Sequence, residues 1–181
     1  MAIAGLDATK ILVGGAQVYI GTYVATGRFT AGTSFGHTLS PTTFGMAFED
    51  FGVETEQSIG LVKNLPVTAS YTLKFELAQN DAQAMLIASR QAAAQLTETG
   101  TTSGILYLSD PGELYYGVRL VGVGYCTGKA DTYKFWKCQV SSVSDIPFAK
   151  KGVQSLGITM KILRDDTASA TTAGLYGQRS M

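Results

Sequence analysis

The sequence is short of most residues that do chemistry. Its 181 residues include one histidine, His37, and two cysteines, Cys126 and Cys138. Two cysteines inside predicted strands make neither a disulfide framework nor a metal-ligand spacing, and both read as small buried hydrophobes. With one histidine and no acidic triplet of calcium-loop spacing, no metal site and no cofactor is expected. Fourteen basic residues cancel fourteen acidic ones. That balance leaves no overall positive charge to hold phosphates and argues against sequence-independent nucleic-acid binding. No stretch approaches the roughly 18 uninterrupted apolar residues of a membrane helix, so no membrane anchor is expected. The opening "MAIAGLDATK" has neither a basic nor an apolar leader region, so it reads as no signal peptide, and synthesis in a cytosol is expected.

Charged residues are also few, at 15% against roughly 25% for an average globular protein. A surface so poor in charge suggests that much of it is covered, most simply by other copies of the chain. What is abundant is β-favouring: nine tyrosines, eight phenylalanines, many threonines, and 21 glycines to turn between strands.

Strands are predicted at Ile11–Val13 and Gln17–Tyr23 about a Gly14-Gly15 turn, at Phe44–Phe51, and at Val53–Val62. Between them "VATGRFTAGTSFGHTLSPTT", residues 24–43, reads as a long loop. Loops of that length in compact domains usually have a function. Its Phe29, Phe35 and Leu39 are placed as if to dock on something. From Pro66 to Gln79 apolar and polar residues alternate without a slip from Val67 to Leu77, giving a strand of roughly 45 Å at about 3.3 Å per residue. An exposed strand that long is an aggregation hazard unless its edge is paired, and neighbouring subunits could pair it. Asn80 is a candidate N-cap for an amphipathic helix carrying Ala82, Met85, Leu86 and Ser89 and reaching about Ala94. Further strands follow at Ile105–Ser109, Leu114–Tyr125, Tyr133–Val143 and Val153–Leu163. The tail, residues 165–181, is polar with two apolar handles, Leu175 and Tyr176. About eight strands and one helix make a single domain, an antiparallel two-sheet β-sandwich or barrel with a flanking helix.

Two motifs suggest catalysis or cofactors and fail on context. "GTSFG", Gly32–Gly36, has the nucleophile-elbow spacing around Ser34, yet it lies in a glycine-rich loop without the required strand and helix. "GVGYCTG", Gly122–Gly128, has the wrong spacing for a dinucleotide loop and falls within a strand. The chain is not expected to be an enzyme. Glu49, Asp50, Glu54 and Glu56 form an acidic cluster that is either a solvated hairpin or a surface kept unattractive to a polyanion.

The hairpin "FGVETEQSIGLVKN", the strand and helix "VTASYTLKFELAQNDAQAMLIAS" and the closing pair "YKFWKCQVSSVSDIPFAKKGVQSLGITMKILRDD" resemble, in order and spacing, the major tail tube proteins of long-tailed bacteriophages. The likeness covers about residues 10–165 and departs in the loop 24–43. It implies a structural virion protein whose hexameric rings stack into the hollow tail, with four strands of each copy joining a continuous inner barrel. Double-stranded DNA would pass through during ejection without specific binding. The implied partners are other copies, a tape-measure protein, and tail tip and tail terminator proteins.

On that resemblance the lumen-facing candidates are Glu49, Asp50, Glu54, Glu56, Thr68, Ser70 and Thr72, since a polar or acidic lining holds phosphates weakly. Lys74 would suit a lumen only if Glu76 or another acid neutralised it. Phe29, Phe35, Leu39, Leu175 and Tyr176 are the ring-stacking candidates, in the long loop and the tail, with residues 1–10 as an N-terminal arm. The alternatives are the inner tube of a contractile injection machine and, in a different class, a monomeric β-barrel for a small apolar ligand.

Overall fold

A computed structural model describes residues 16–24, 32–54, 61–78, 81–98, 104–123, 130–146, 155–166 and 176–180. The expected strand at 11–13 lies outside them. Ten strands occur among the described residues: β1 (Gln17–Thr22), β2 (Thr33–His37), β3 (Thr43–Glu54), β4 (Leu61–Leu77), β5 (Leu96–Glu98), β6 (Gly104–Leu106), β7 (Tyr116–Val123), β8 (Ala130–Val143), β9 (Leu156–Leu163) and β10 (Gly177–Ser180). Eight belong to one antiparallel sheet ordered β2-β1-β7-β8-β9-β4-β3, with β10 added alongside β8; β5 and β6 pair by themselves. The fold is an antiparallel β-sandwich with one flanking helix.

Alternation explains how one sheet makes a sandwich. Val18 and Ile20 of β1 stand opposite Leu120 and Val118 of β7, while Leu73 and Phe75 of β4 stand opposite Met160 and Ile158 of β9. All eight side chains are buried in one core, so the two halves of the sheet face each other. The sheet curls far enough for Thr38, just after β2, to bridge to Leu77 at the end of β4. Each large aliphatic side chain enclosed this way contributes about 1.5–3 kcal/mol.

A bulge sets the inward residues of β8. Tyr116 pairs with Cys138, yet Val118 pairs with Phe135, so β8 carries one extra residue there. Strict alternation would put Phe135 and Cys138 on opposite faces; the bulge buries both in the core. Burial pushes the Cys138 thiol far above its ordinary value, which leaves it unreactive.

The helix α1 spans Ala82–Ala88, and its N-cap is Asp81 rather than Asn80. Asp81 Oδ1 accepts from the Ala84 amide at 2.7 Å. The helix ends six residues before the expected Ala94 because Arg90 turns left-handed at φ 55°. A glutamine then takes over. Gln91, 3% exposed, donates to the carbonyls of Ser109 and Ser89 and accepts from the Ser109 hydroxyl at 2.6 Å. With both ends of its amide satisfied, it ties the helix end to the chain entering β7.

Three strands were not expected from the sequence, the short β5 among them. The long loop holds β2, paired with β1 through Ser34↔Tyr19 and Thr33↔Ile20. The polar tail holds β10, which pairs with β8 from Gly177↔Phe135 to Ser180↔Thr132. Only glycine fits at 177, since a Cβ there would lie 2.3 Å from the Lys134 carbonyl oxygen.

Leu73 is fully buried at the centre of β4. We expect Leu73→Ala to destabilise the isolated subunit by about 2–5 kcal/mol, read as a lower urea midpoint with unchanged slope. A loss below about 1 kcal/mol would show that this part of the core is loosely packed.

Candidate assembly surface

β3 and β4 form a hairpin of 12 and 17 residues. Antiparallel register puts Phe44 opposite Leu73, Met46 opposite Tyr71 and Phe48 opposite Ala69, all on the face that turns toward the core. At the base of the hairpin this face is closed: Leu73, Phe75 and Leu77 are at most 4% exposed. Further out the same face is bare, with Met46, Phe48 and Val67 59%, 61% and 62% exposed. Phe51 and Leu65, paired beyond a bulge in β4, are exposed as well, but alternation along β3 puts them on the opposite face, with Glu49. With roughly 150–250 Å² for an aromatic side chain and less for Met and Val, the core-side face of the hairpin exposes about 300 Å² of apolar surface. A patch of that size is within what a monomer presents and is often functional.

Between base and tip lies a row of rings. Phe44 stacks on Phe135 at 5.3 Å and lies parallel to Tyr71 at 6.0 Å. Phe48 meets Tyr71 edge-on, and Tyr176 from the tail packs on Tyr71 at 4.4 Å. These rings hold the hairpin rigid where it leaves the core.

The other face is polar, and four lumen candidates share it. Glu49 stands opposite Thr68, Ala47 opposite Ser70 and Gly45 opposite Thr72. The Thr68 hydroxyl donates to Glu49 at 2.9 Å. At position 45 a Cβ would lie 2.7 Å from the Thr72 hydroxyl, so glycine makes room for it. Asp50 is exposed at the bulge opposite Pro66. Glu54 closes β3 opposite Leu61 through its backbone. Glu56 lies outside the described residues.

Lys74 does not pair with Glu76. The Glu76 carboxylate accepts instead from the hydroxyls of Ser155, first, and Ser40, which hold its pKa below the ordinary 4.5. Those bonds fasten the end of the long loop and the start of β9 to β4. Lys74 is exposed opposite Thr159 and Thr43, and Lys161 is exposed opposite Thr72. A cleft of about 350 Å³ opens beside them, lined by Ser40, Lys74, Glu76, Ser142, Ser144 and Thr159.

The stacking candidates scatter. Phe35 is 3% exposed and fills the chain's own core, because pairing of β2 with β1 turns it inward; it is not free to contact another ring. Leu39 is exposed. Tyr176 is half-buried against Tyr71. Phe29 and Leu175 lie outside the described residues. Nothing in the sequence pattern marks the hairpin residues Met46 and Phe48 as exposed. Their alternation resembles that of any half-buried strand, and only the position of the core's edge distinguishes them.

Ser34 lies within edge strand β2, not at a strand-to-helix turn, and its hydroxyl accepts from Gln17 at 3.1 Å. No group of three or more His, Cys, Asp or Glu residues able to hold a metal occurs among the described residues. No helix among them is long and apolar enough to cross a membrane.

Open backbone edges complete the surface; besides those of β2 and of β4 over residues 61–70, two others matter here. β3 ends the sheet order, so its outer edge has no partner strand among the described residues. Beyond Cys138, β8 is paired with β9 but no longer with β7.

No protein-family model matches the chain, and neither does any curated protein. Among solved structures it is similar to a chain of the anti-feeding prophage baseplate, seen by cryo-electron microscopy with six-fold symmetrisation. The TM-score is 0.46 at 9% identity, over 84% of this chain and 91% of that one. A likeness at that level extends to neither function nor assembly.

The serine clasp on Glu76 has a consequence in acid. A carboxylate whose folded pKa is lowered adds stability that is complete above its unfolded value of 4.5 and is lost as pH falls through the folded value. Thermal melts from pH 7 down to about pH 3 are expected to show a smaller acid loss in Glu76→Gln than in the unchanged chain. Equal slopes in the two proteins would mean that the clasp does not discriminate between folded and unfolded states.

Proposed function

We propose that this chain is a structural, self-assembling virion protein: the subunit of a long-tailed phage tail tube, whose hexameric rings stack around a channel for double-stranded DNA. The hairpin β3–β4 carries this reading. A monomeric protein has no use for a strand of 17 residues whose apolar face runs well past its own core. A second copy accounts for the exposed face and for the open edge together, because main-chain pairing along β3 brings apolar cover to the same place. Joining the β3 edge of one copy to the open stretch of β8 in the next is head-to-tail. Repeated head-to-tail contact closes into a ring when the rotation allows.

The outer part of the polar face supports the same role. Around Thr68 and Ser70 it offers duplex DNA neutral hydroxyls, which hold phosphates weakly, and the lining stops short of Lys74 and Lys161, the two unneutralised lysines that flank Thr72. Nothing in this role requires a nucleophile, a metal or a cofactor. A ligand-binding barrel is less favoured, since aliphatic side chains from both halves of the sheet fill the interior.

Negative-stain electron microscopy across a concentration series is expected to show rings or hollow tubes with a regular axial repeat. Met46→Ser combined with Val67→Ser is expected to leave the melting temperature of the monomer within a few degrees, since both side chains are exposed and neither belongs to the aromatic row. The same change should abolish the tubes. Unaltered assembly by this variant, or monomers that also ignore added tail-tip complexes, would sink the reading.

A further inference from the structure

The outer face of the other half of the sheet carries a row of side chains whose positions follow from four successive strand pairings. Ser34 of β2 stands opposite Tyr19 of β1, Tyr19 opposite Arg119 of β7, Arg119 opposite Lys134 of β8, and Lys134 opposite Gln178 of β10. Partners directly across an antiparallel pair point to the same face, and the inward residues here are Val18, Ile20, Val118, Leu120 and Phe135. The row therefore faces out.

Its chemistry is one-sided. Arg119 and Lys134 are like charges set directly opposite each other, an arrangement that costs stability in a sheet. Neither makes an ion pair; among the described residues the one salt bridge is Arg164–Asp166. The Arg119 guanidinium lies over the Tyr19 ring, 4.1 Å from its centroid, and its Nε is buried without a hydrogen-bond partner. Stacking fixes the plane of a guanidinium and presents its donor fork, the arrangement that binds a carboxylate or phosphate through two parallel bonds. Lys137 on the same strand differs: its charge already lies over the rings of Tyr115 and Tyr23.

We propose that the row Ser34–Tyr19–Arg119–Lys134–Gln178 is a carboxylate-binding site, and that its occupant is the hairpin of a second copy, through Asp50, which alternation along β3 puts on the Phe48 face rather than on the Glu49–Thr68 face. The inference rests on the assembly reading and adds the second half of the contact. Asp50 is exposed and makes no ion pair, so the chain holds an unpaired acid apart from its unpaired basic row while its net charge is zero. Charges that cannot meet within one subunit meet between two, and they fix which surface meets which. A carboxylate between Arg119 and Lys134 relieves the repulsion that the row carries in the monomer. Low total charge makes the match selective, because few other charged surfaces compete.

The test is a charge swap in the full chain, read by sedimentation and electron microscopy at about 50 mM and about 500 mM salt. Lys134→Glu alone, and Asp50→Lys alone, are each expected to raise the concentration needed for assembly by about tenfold at low salt. Both changes in one chain are expected to restore it. Gln178→Glu, at an exposed position, gives a weaker version of the first defect and guards against misfolding of Lys134→Glu. If both swaps assemble as the unchanged chain does, the inference is overturned while the tube reading stands. Failure of the double variant to recover also overturns it. Loss of labelled duplex DNA binding in Lys134→Glu with assembly intact overturns it in favour of a phosphate ligand. An unchanged chain that never assembles removes the tube reading and this contact together.

Discussion

The structure depends on one mismatch: the apolar face of β4 is longer than the core that it helps to build. A strand cannot alter which face a side chain occupies without a bulge, so the pattern that buries Leu73, Phe75 and Leu77 continues outward through Tyr71, Ala69 and Val67. β3 follows because its register places Phe44, Met46 and Phe48 beside those residues. The aromatic row at the hairpin base, the glycine at 45 that admits Thr72 and the serine clasp on Glu76 all stabilise the place where the hairpin leaves the subunit. Rigidity there lowers the entropy that ordering the hairpin against another surface would otherwise cost.

Much of this fold was legible in the sequence because it is written in period-two alternation. β4, β9 and the class of fold follow from runs such as Leu156, Ile158, Met160 and Ile162. The polar set Thr68, Ser70, Thr72 and Glu49 was also legible, since alternation alone puts them on one face once the register is known. The misses have separate physical causes. β2 and β10 are short edge strands of mixed composition, formed because β1 and β8 present open edges to them. Phe35 looked available because pairing, not pattern, turns it inward. The helix stops early through a single left-handed residue, Arg90, which no propensity scale marks. The basic row was invisible for a further reason. Its five residues come from five strands spread over nearly the whole chain, and only the registers bring them together.

Charge and burial are divided between different tasks in this molecule. The ion pair Arg164–Asp166 is exposed on both sides and contributes little to stability. Folding therefore draws on the shared core and on hydrogen bonds within the subunit, such as the Gln91 clasp and the bond from the Tyr23 hydroxyl to the buried Asp165 carboxylate at 2.8 Å. Surface charges without internal partners, such as Asp50 and Lys134, are left to act between molecules, where a sparse pattern carries more information than a dense one.

The position of β10 joins two parts of the surface that the chain order keeps apart. Tyr176 packs on Tyr71, and β10 takes up the stretch of β8 from Thr132 to Phe135 beside the β9 pairing. One short strand thus touches the root of the hairpin with its leading ring and stands beside Lys134 with Gln178. Displacing it would strip a ring from the hairpin and a neighbour from the basic row in the same event, so the two surfaces share a single latch.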